Sequence, residues 1–203
     1  MPVETFLELV DELEVRGMFG DRDAVYRFLV MHPERTEWVV AEFAIWGCDQ
    51  LRRNGQYEEA LEGLDARKWQ VDSWPVRVQG RYWQALGQVY FNLPGRIEDA
   101  FAVQRELLTM PGFDELPLNR QMLARESFLA SKAKAGQIVD DEYRKIALEY
   151  CNFLYMYRKS LQRFKMWDRG LAGFVAALGE GERAQEHWLA AAFFTTREYS
   201  LNH

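Results

Sequence analysis

The stretch RYWQALGQVYFNLPGRIEDAF, residues 81–101, decides the fold. Trp83, Leu86, Gly87 and Tyr90 recur at i, i+3, i+4 and i+7, the spacing of one helix face. A Pro-Gly break follows at 94–95, and a second helix opens with Ala100 in its early turns. Two helices joined by so short a loop lie antiparallel. Gly87 costs roughly 1 kcal/mol of helix propensity relative to alanine, so close packing must offset it. Small residues at 87 and 100 let the two backbones approach. A larger side chain there would overpack the contact by about 1–3 kcal/mol.

The same grammar extends in both directions. Helical periodicity runs in blocks separated by short breaks at 17–23, 32–36, 53–56, 69–76, 93–96, 110–117, 135–141 and 179–182. Strand signals are nearly absent, with no Asn-Gly or Asp-Gly hairpin between alternating runs. NGQYEEALEGL (54–64) and LGEGERAQEHW (178–188) share one form. Each has a glycine, an acid-rich helix start, an alanine, and a large apolar residue four positions later. The pairs are Ala60 with Leu64 and Ala184 with Trp188, and Ala24 with Phe28 repeats the spacing near the start. Alanines 24, 60, 100, 147 and 184 set a period of 36 to 47 residues.

This pattern resembles the tetratricopeptide repeat family, whose signature is W-x2-L-G-x2-Y, then A-x3-F, then P, over roughly 34 residues. Trp83, Leu86, Gly87, Tyr90, Ala100 and Pro111 match it, with one extra residue in the turn. Gly47, Cys48, Tyr57, Ala60 and Leu64 follow in the preceding unit. Leu171, Ala172, Val175, Ala184 and Trp188 follow in the last. The resemblance implies an all-α fold, a right-handed superhelix of about five antiparallel helix pairs (an α-solenoid). Its approximate units are 3–36, 37–76, 77–116, 117–160 and 161–200 of a single domain.

Composition limits what such a chain does. Nearly half of the 203 residues are hydrophobic, enough for a folded core. The net charge of −6 disfavours a general nucleic-acid binder. Charge is uneven: residues 1–66 hold six bases against fifteen acids, net −9, and residues 67–203 hold nineteen against sixteen, net +3. Cys48 and Cys151 sit in apolar helical contexts without CxxC spacing and read as free thiols of a reducing, cytoplasmic setting. The start MPVETFLELVDEL has acids inside its apolar run and no basic leader, so it does not read as a signal peptide. No stretch approaches the length of uncharged apolar sequence that crosses a membrane.

No catalytic constellation stands out. His32, His187 and His203 lack partners at metal-ligand spacing. No phosphate loop, nucleophile elbow or zincin motif is present. Glu58-Glu59 and Asp140-Asp141-Glu142 each open a helix, where the macrodipole favours acids. The expectation is a non-catalytic protein–protein interaction module without metal or cofactor, an adaptor, scaffold or chaperone-like protein. It would hold a peptide or protein segment in its concave groove.

At 100° per residue, Arg81, Gln84, Gln88 and Asn92 cluster opposite the Trp83 face, with Phe91 on their edge. By the family pattern, the first helix of each pair lines the groove. Equivalent positions are Glu42, Asp49, Arg52 and Arg53, then Ser131 and Lys134, then Arg169. Arginine and amide side chains suit carboxylates and peptide backbones. These positions do not reproduce the family's Lys, Asn and Arg carboxylate clamp.

Three further segments carry alternatives. The basic-aromatic run 152–170 would fit an acidic partner, a nucleic-acid backbone or a membrane surface, or else a helix with aromatics inside and bases outside. Trp69 and Trp74 in KWQVDSWPV (68–76) are either interface anchors or plugs between repeats. The very apolar run HWLAAAFFTTREY (187–199) is expected to pack on a second copy, giving a homodimer, or on a partner.

Overall fold

A computed structural model describes residues 3–16, 18–32, 36–137, 140–157 and 159. Among them every regular element is helical, as the sequence predicts. The chain divides into two compact units, Met1–Ala124 and Arg125–His203.

In the first unit, α1 (Val3–Val15) pairs with α2 (Phe19–Met31), and α3 (Glu37–Arg53) with α4 (Tyr57–Asp65). A third pair joins α5 (Val76–Asn92) to α6 (Ile97–Thr109). Two 3₁₀ turns, Lys68–Ser73 and Phe113–Glu115, fill the longer connections. The expected loop at 17–23 is shorter than the glycines suggest. α2 begins at Phe19, and Gly20 and Asp21 lie in its first turn, where the acid meets the positive helix end. Glu58 and Glu59 open α4 in the same way.

One core joins α3, α4 and α5. It contains Ile45, Cys48, Ala60, Leu64, Val71, Trp74, Val78, Tyr82, Leu86 and Val89. The glycine logic of residues 81–101 is visible in detail. Ala100 is wholly buried, and a Cβ on Gly87 would lie 2.9 Å from Gln104 Cγ on α6. The preceding pair inverts the sizes. Cys48 holds the place of Gly87, and the glycine is on the second helix, where a Cβ on Gly63 would lie 2.7 Å from Cys48 Sγ. In each pair a glycine on one helix accepts a larger side chain from the other.

A double-mutant comparison tests this. Gly87→Ala gains roughly 1 kcal/mol of helix propensity but collides with Gln104, so it is expected to destabilise wild type by about 1 kcal/mol. In a Gln104→Ala background the same change is expected to stabilise by a similar amount. Chemical denaturation of the four proteins reads both values, and a loss of equal size in both backgrounds would remove Gln104 as the cause.

The first pair departs from the repeat phase. Ala24 and Phe28 are exposed, and Arg22, Tyr26 and Leu29 are the buried face of α2. Tyr26 stacks on Trp46 with ring centroids 5.5 Å apart, and Trp46 packs on Phe43. The aromatic face of α3 thus selects the stripe of α2 that carries Tyr26, in place of the stripe carrying the small residue.

In the second unit, α8 (Asp141–Met156) is capped by Asp140, whose Oδ1 accepts the Tyr143 backbone N–H at 2.7 Å. Lys132 on α7 (Leu118–Lys134, which spans the division) lies 2.6 Å from Asp140 Oδ2 and 2.8 Å from Glu142 Oε2. Partial burial opposes ionisation of Asp140. The bonds from Lys132 and from the Tyr143 N–H outweigh it and hold the carboxyl below its ordinary pKa. Asp140 to Glu142 is therefore a helix start, as its composition predicts. The basic-aromatic run beyond residue 159, the apolar run 187–199 and the expected unit 161–200 lie outside the described residues.

Candidate functional site

The expected groove residues separate into several groups. α5 is buried on nearly all sides, and Arg81 and Gln84 are buried with it. Arg81 Nη2 donates to Asp11 Oδ1 of α1 at 2.6 Å, and its Nε lies 2.7 Å from Glu42 Oε1 of α3. Arg77 Nη2 reaches Asp11 Oδ2 at 3.1 Å. Arg120, from the start of α7, donates to Gln84 Oε1 at 3.1 Å, and Tyr26 donates to Glu42 Oε1 at 3.3 Å. The network thus draws on α1, α2, α3, α5 and α7. Glu42 is only 1 % exposed, so its charge is carried by neighbouring guanidinium groups in place of water.

The remaining positions are elsewhere. Asp49 takes Arg52 at 2.8 Å and Arg53 at 2.8 Å in the last turns of α3. Gln88, Phe91 and Asn92 are half-buried at the end of α5, and Asn92 Nδ2 donates back to the Gln88 carbonyl at 2.7 Å. In the second unit Ser131 is buried and Lys134 exposed. Arg169 lies outside the described residues. Asp11 and Arg120 were not legible as members of this network. They come from α1 and α7, and only the 77, 81, 84 spacing places three of the polar groups on one face of α5.

An open concavity lies beside the 3₁₀ turn 68–73. A cleft of about 680 Å³ lies between the first turn of α3, the end of α4 and that turn. Trp38, Trp69 and Trp74 line it, with Glu37, Arg67 and Gln70 supplying polar groups. The two tryptophans differ in placement. Trp74 is buried and meets Tyr82 edge-on at 5.8 Å, plugging the space between helices. Trp69 is 79 % exposed. Ser73 Oγ donates to the Gln70 carbonyl at 2.6 Å and Gln79 Nε2 to the Trp74 carbonyl at 2.7 Å, so the turn that presents Trp69 is fastened within itself and at its C-terminal end.

Burial pushes the Cys48 thiol above its ordinary pKa, the reverse of an activated nucleophile. Among the described residues, no group of His, Cys, Asp and Glu has metal-binding geometry, and no helix is long and apolar enough to cross a membrane. Compared with known proteins, the chain matches no family model, no curated protein and no solved structure, so its repeat resemblance rests on its own residues.

Proposed function

We propose that the chain is a non-catalytic interaction module that holds a segment of a partner protein, an adaptor or scaffold built on antiparallel helix pairs. The observation that supports this reading is the cleft at Trp69. A large aromatic side chain stands in solvent beside a concavity of about 680 Å³, on a turn anchored by its own hydrogen bonds. Ligand clefts commonly fall in that size range, and exposed tryptophan is the residue type most enriched at binding hot spots. The polar face of α5, the expected groove, is occupied by the chain's own charges at Arg81 and Gln84. The cleft is therefore the better candidate.

Selection of random peptides displayed on phage, against wild type and Trp69→Ala, tests the reading. Enriched peptides are expected to bind wild type and to lose about 30-fold in affinity on Trp69→Ala, the size of one hot-spot contact. Failure to enrich any sequence, or equal binding by the two proteins, would overturn it.

A further inference from the structure

We infer that the Trp69 cleft takes an arginine side chain from a basic, extended segment of its partner. The inference rests on the preceding reading of the cleft and adds the chemistry of the occupant. The lining holds two charged residues, Glu37 and Arg67. Arg67 keeps its positive charge, but its Nη1 is turned to the Gly63 carbonyl near the end of α4, donating at 2.7 Å. Glu37 is exposed and makes no ion pair among the described residues. Its place in the first turn of α3 suits the helix dipole, yet it still leaves an acceptor-only group facing the cleft. Glu37 is therefore the charged group of the lining with open acceptor capacity, and the guest it suits is a cation.

The aromatic surface agrees with that sign. A cation over an indole face is attracted by the ring quadrupole, and guanidinium is the commonest such partner. Its planar fork stacks on the ring while its edge N–H groups reach an acid or amide oxygen, which a compact ammonium does less well. Glu37 and the Gln70 amide supply those oxygens in the same cleft as Trp38 and Trp69. The surrounding sequence has the same polarity. The segment 37–74, which carries the lining residues, contains eight acids and four bases, with Glu42 and Asp49 among the acids paired to Arg81, Arg52 and Arg53. A basic segment is thus drawn toward it at low salt, and an acidic one is repelled.

Fluorescence anisotropy with three labelled heptapeptides tests the assignment at low ionic strength. One carries two arginines between glycines and serines, one has glutamines in their place, and one has glutamates. The arginine peptide is expected to bind saturably and at least tenfold tighter than the other two. Its affinity should fall about tenfold on Glu37→Gln and below detection on Trp69→Ala. Both substitutions are at exposed positions, and circular dichroism should confirm unchanged helicity. If the glutamine or glutamate peptide binds as well and in a Trp69-dependent manner, the arginine assignment falls and the module reading stands. If the arginine peptide binds Trp69→Ala as it binds wild type, or binds neither, the cleft is not its site and this inference is overturned.

Discussion

Glu42→Ala is expected to destabilise the first unit by about 3 kcal/mol, the lower end of the cost of removing one partner from a buried ion pair. Glu42 is 1 % exposed and its Oε1 lies 2.7 Å from Arg81 Nε. Without it, Arg81 keeps Asp11 at 2.6 Å, which is why the upper end of the range is not reached. Three charges near Asp11 and Glu42 come from Arg77, Arg81 and Arg120. Loss of the carboxylate removes the acceptor that lies 2.7 Å from Arg81 Nε, in surroundings that water reaches poorly. The alanine also removes the Glu42 oxygen that accepts from the Tyr26 hydroxyl. Glu42→Gln keeps the shape and the Tyr26 bond and is expected to lose less. Urea denaturation with a common m-value reads the difference. A loss below about 1 kcal/mol for the alanine variant would mean that the network is solvated and contributes little.

Trp74→Ala is expected to cost about 3 kcal/mol, at the low end for truncating a buried aromatic residue. Trp74 packs edge-on against Tyr82 in the core shared by α3, α4 and α5. One side of it forms the wall of the open cleft, so the space left behind joins the cleft in place of a sealed void. That lowers the cavity penalty but not the lost burial. Trp69→Ala makes a sharp contrast. At 79 % exposure its removal is expected to change stability by less than about 0.5 kcal/mol. Thermal denaturation of the two variants side by side separates the structural tryptophan from the displayed one. Equal losses would show that Trp69 also braces the turn.

Much of the helical architecture was legible because it depends on local signals. The breaks at 53–56, 93–96 and 135–141 fall where helices stop, since glycine supplies the left-handed turn at Gly55, Gly95 and Gly136. The close approach of α5 and α6 was legible from Gly87 and Ala100, since only small residues fit such a contact. The reading of α5 as a groove-lining helix was less informative. Helical periodicity sorts residues by face, but it does not say what another helix places against the polar face. Asp11 lies 70 positions before Arg81, and no local pattern links them. The phase of α2 followed the bulk of Trp46 and Phe43, a tertiary preference that outweighs the alanine spacing of the repeat. The cleft was half legible. KWQVDSWPV marked two loop tryptophans, but Glu37 and Gln70 join them only once α3 and the 3₁₀ turn meet.

The most direct test of the account is an indole N–H spectrum of the 15N-labelled protein, recorded with and without a peptide selected on the wild type. The chain has seven tryptophans, and Trp69→Phe identifies the signal that matters. The Trp69 and Trp38 indole signals are expected to shift with saturable dependence on peptide, while the side-chain amide signals of Gln84 and Gln88, on the polar face of α5, stay in place in the same 15N spectrum. Shifts at Gln84 and Gln88 with Trp69 unmoved would contradict the account and return the binding surface to the groove face of α5.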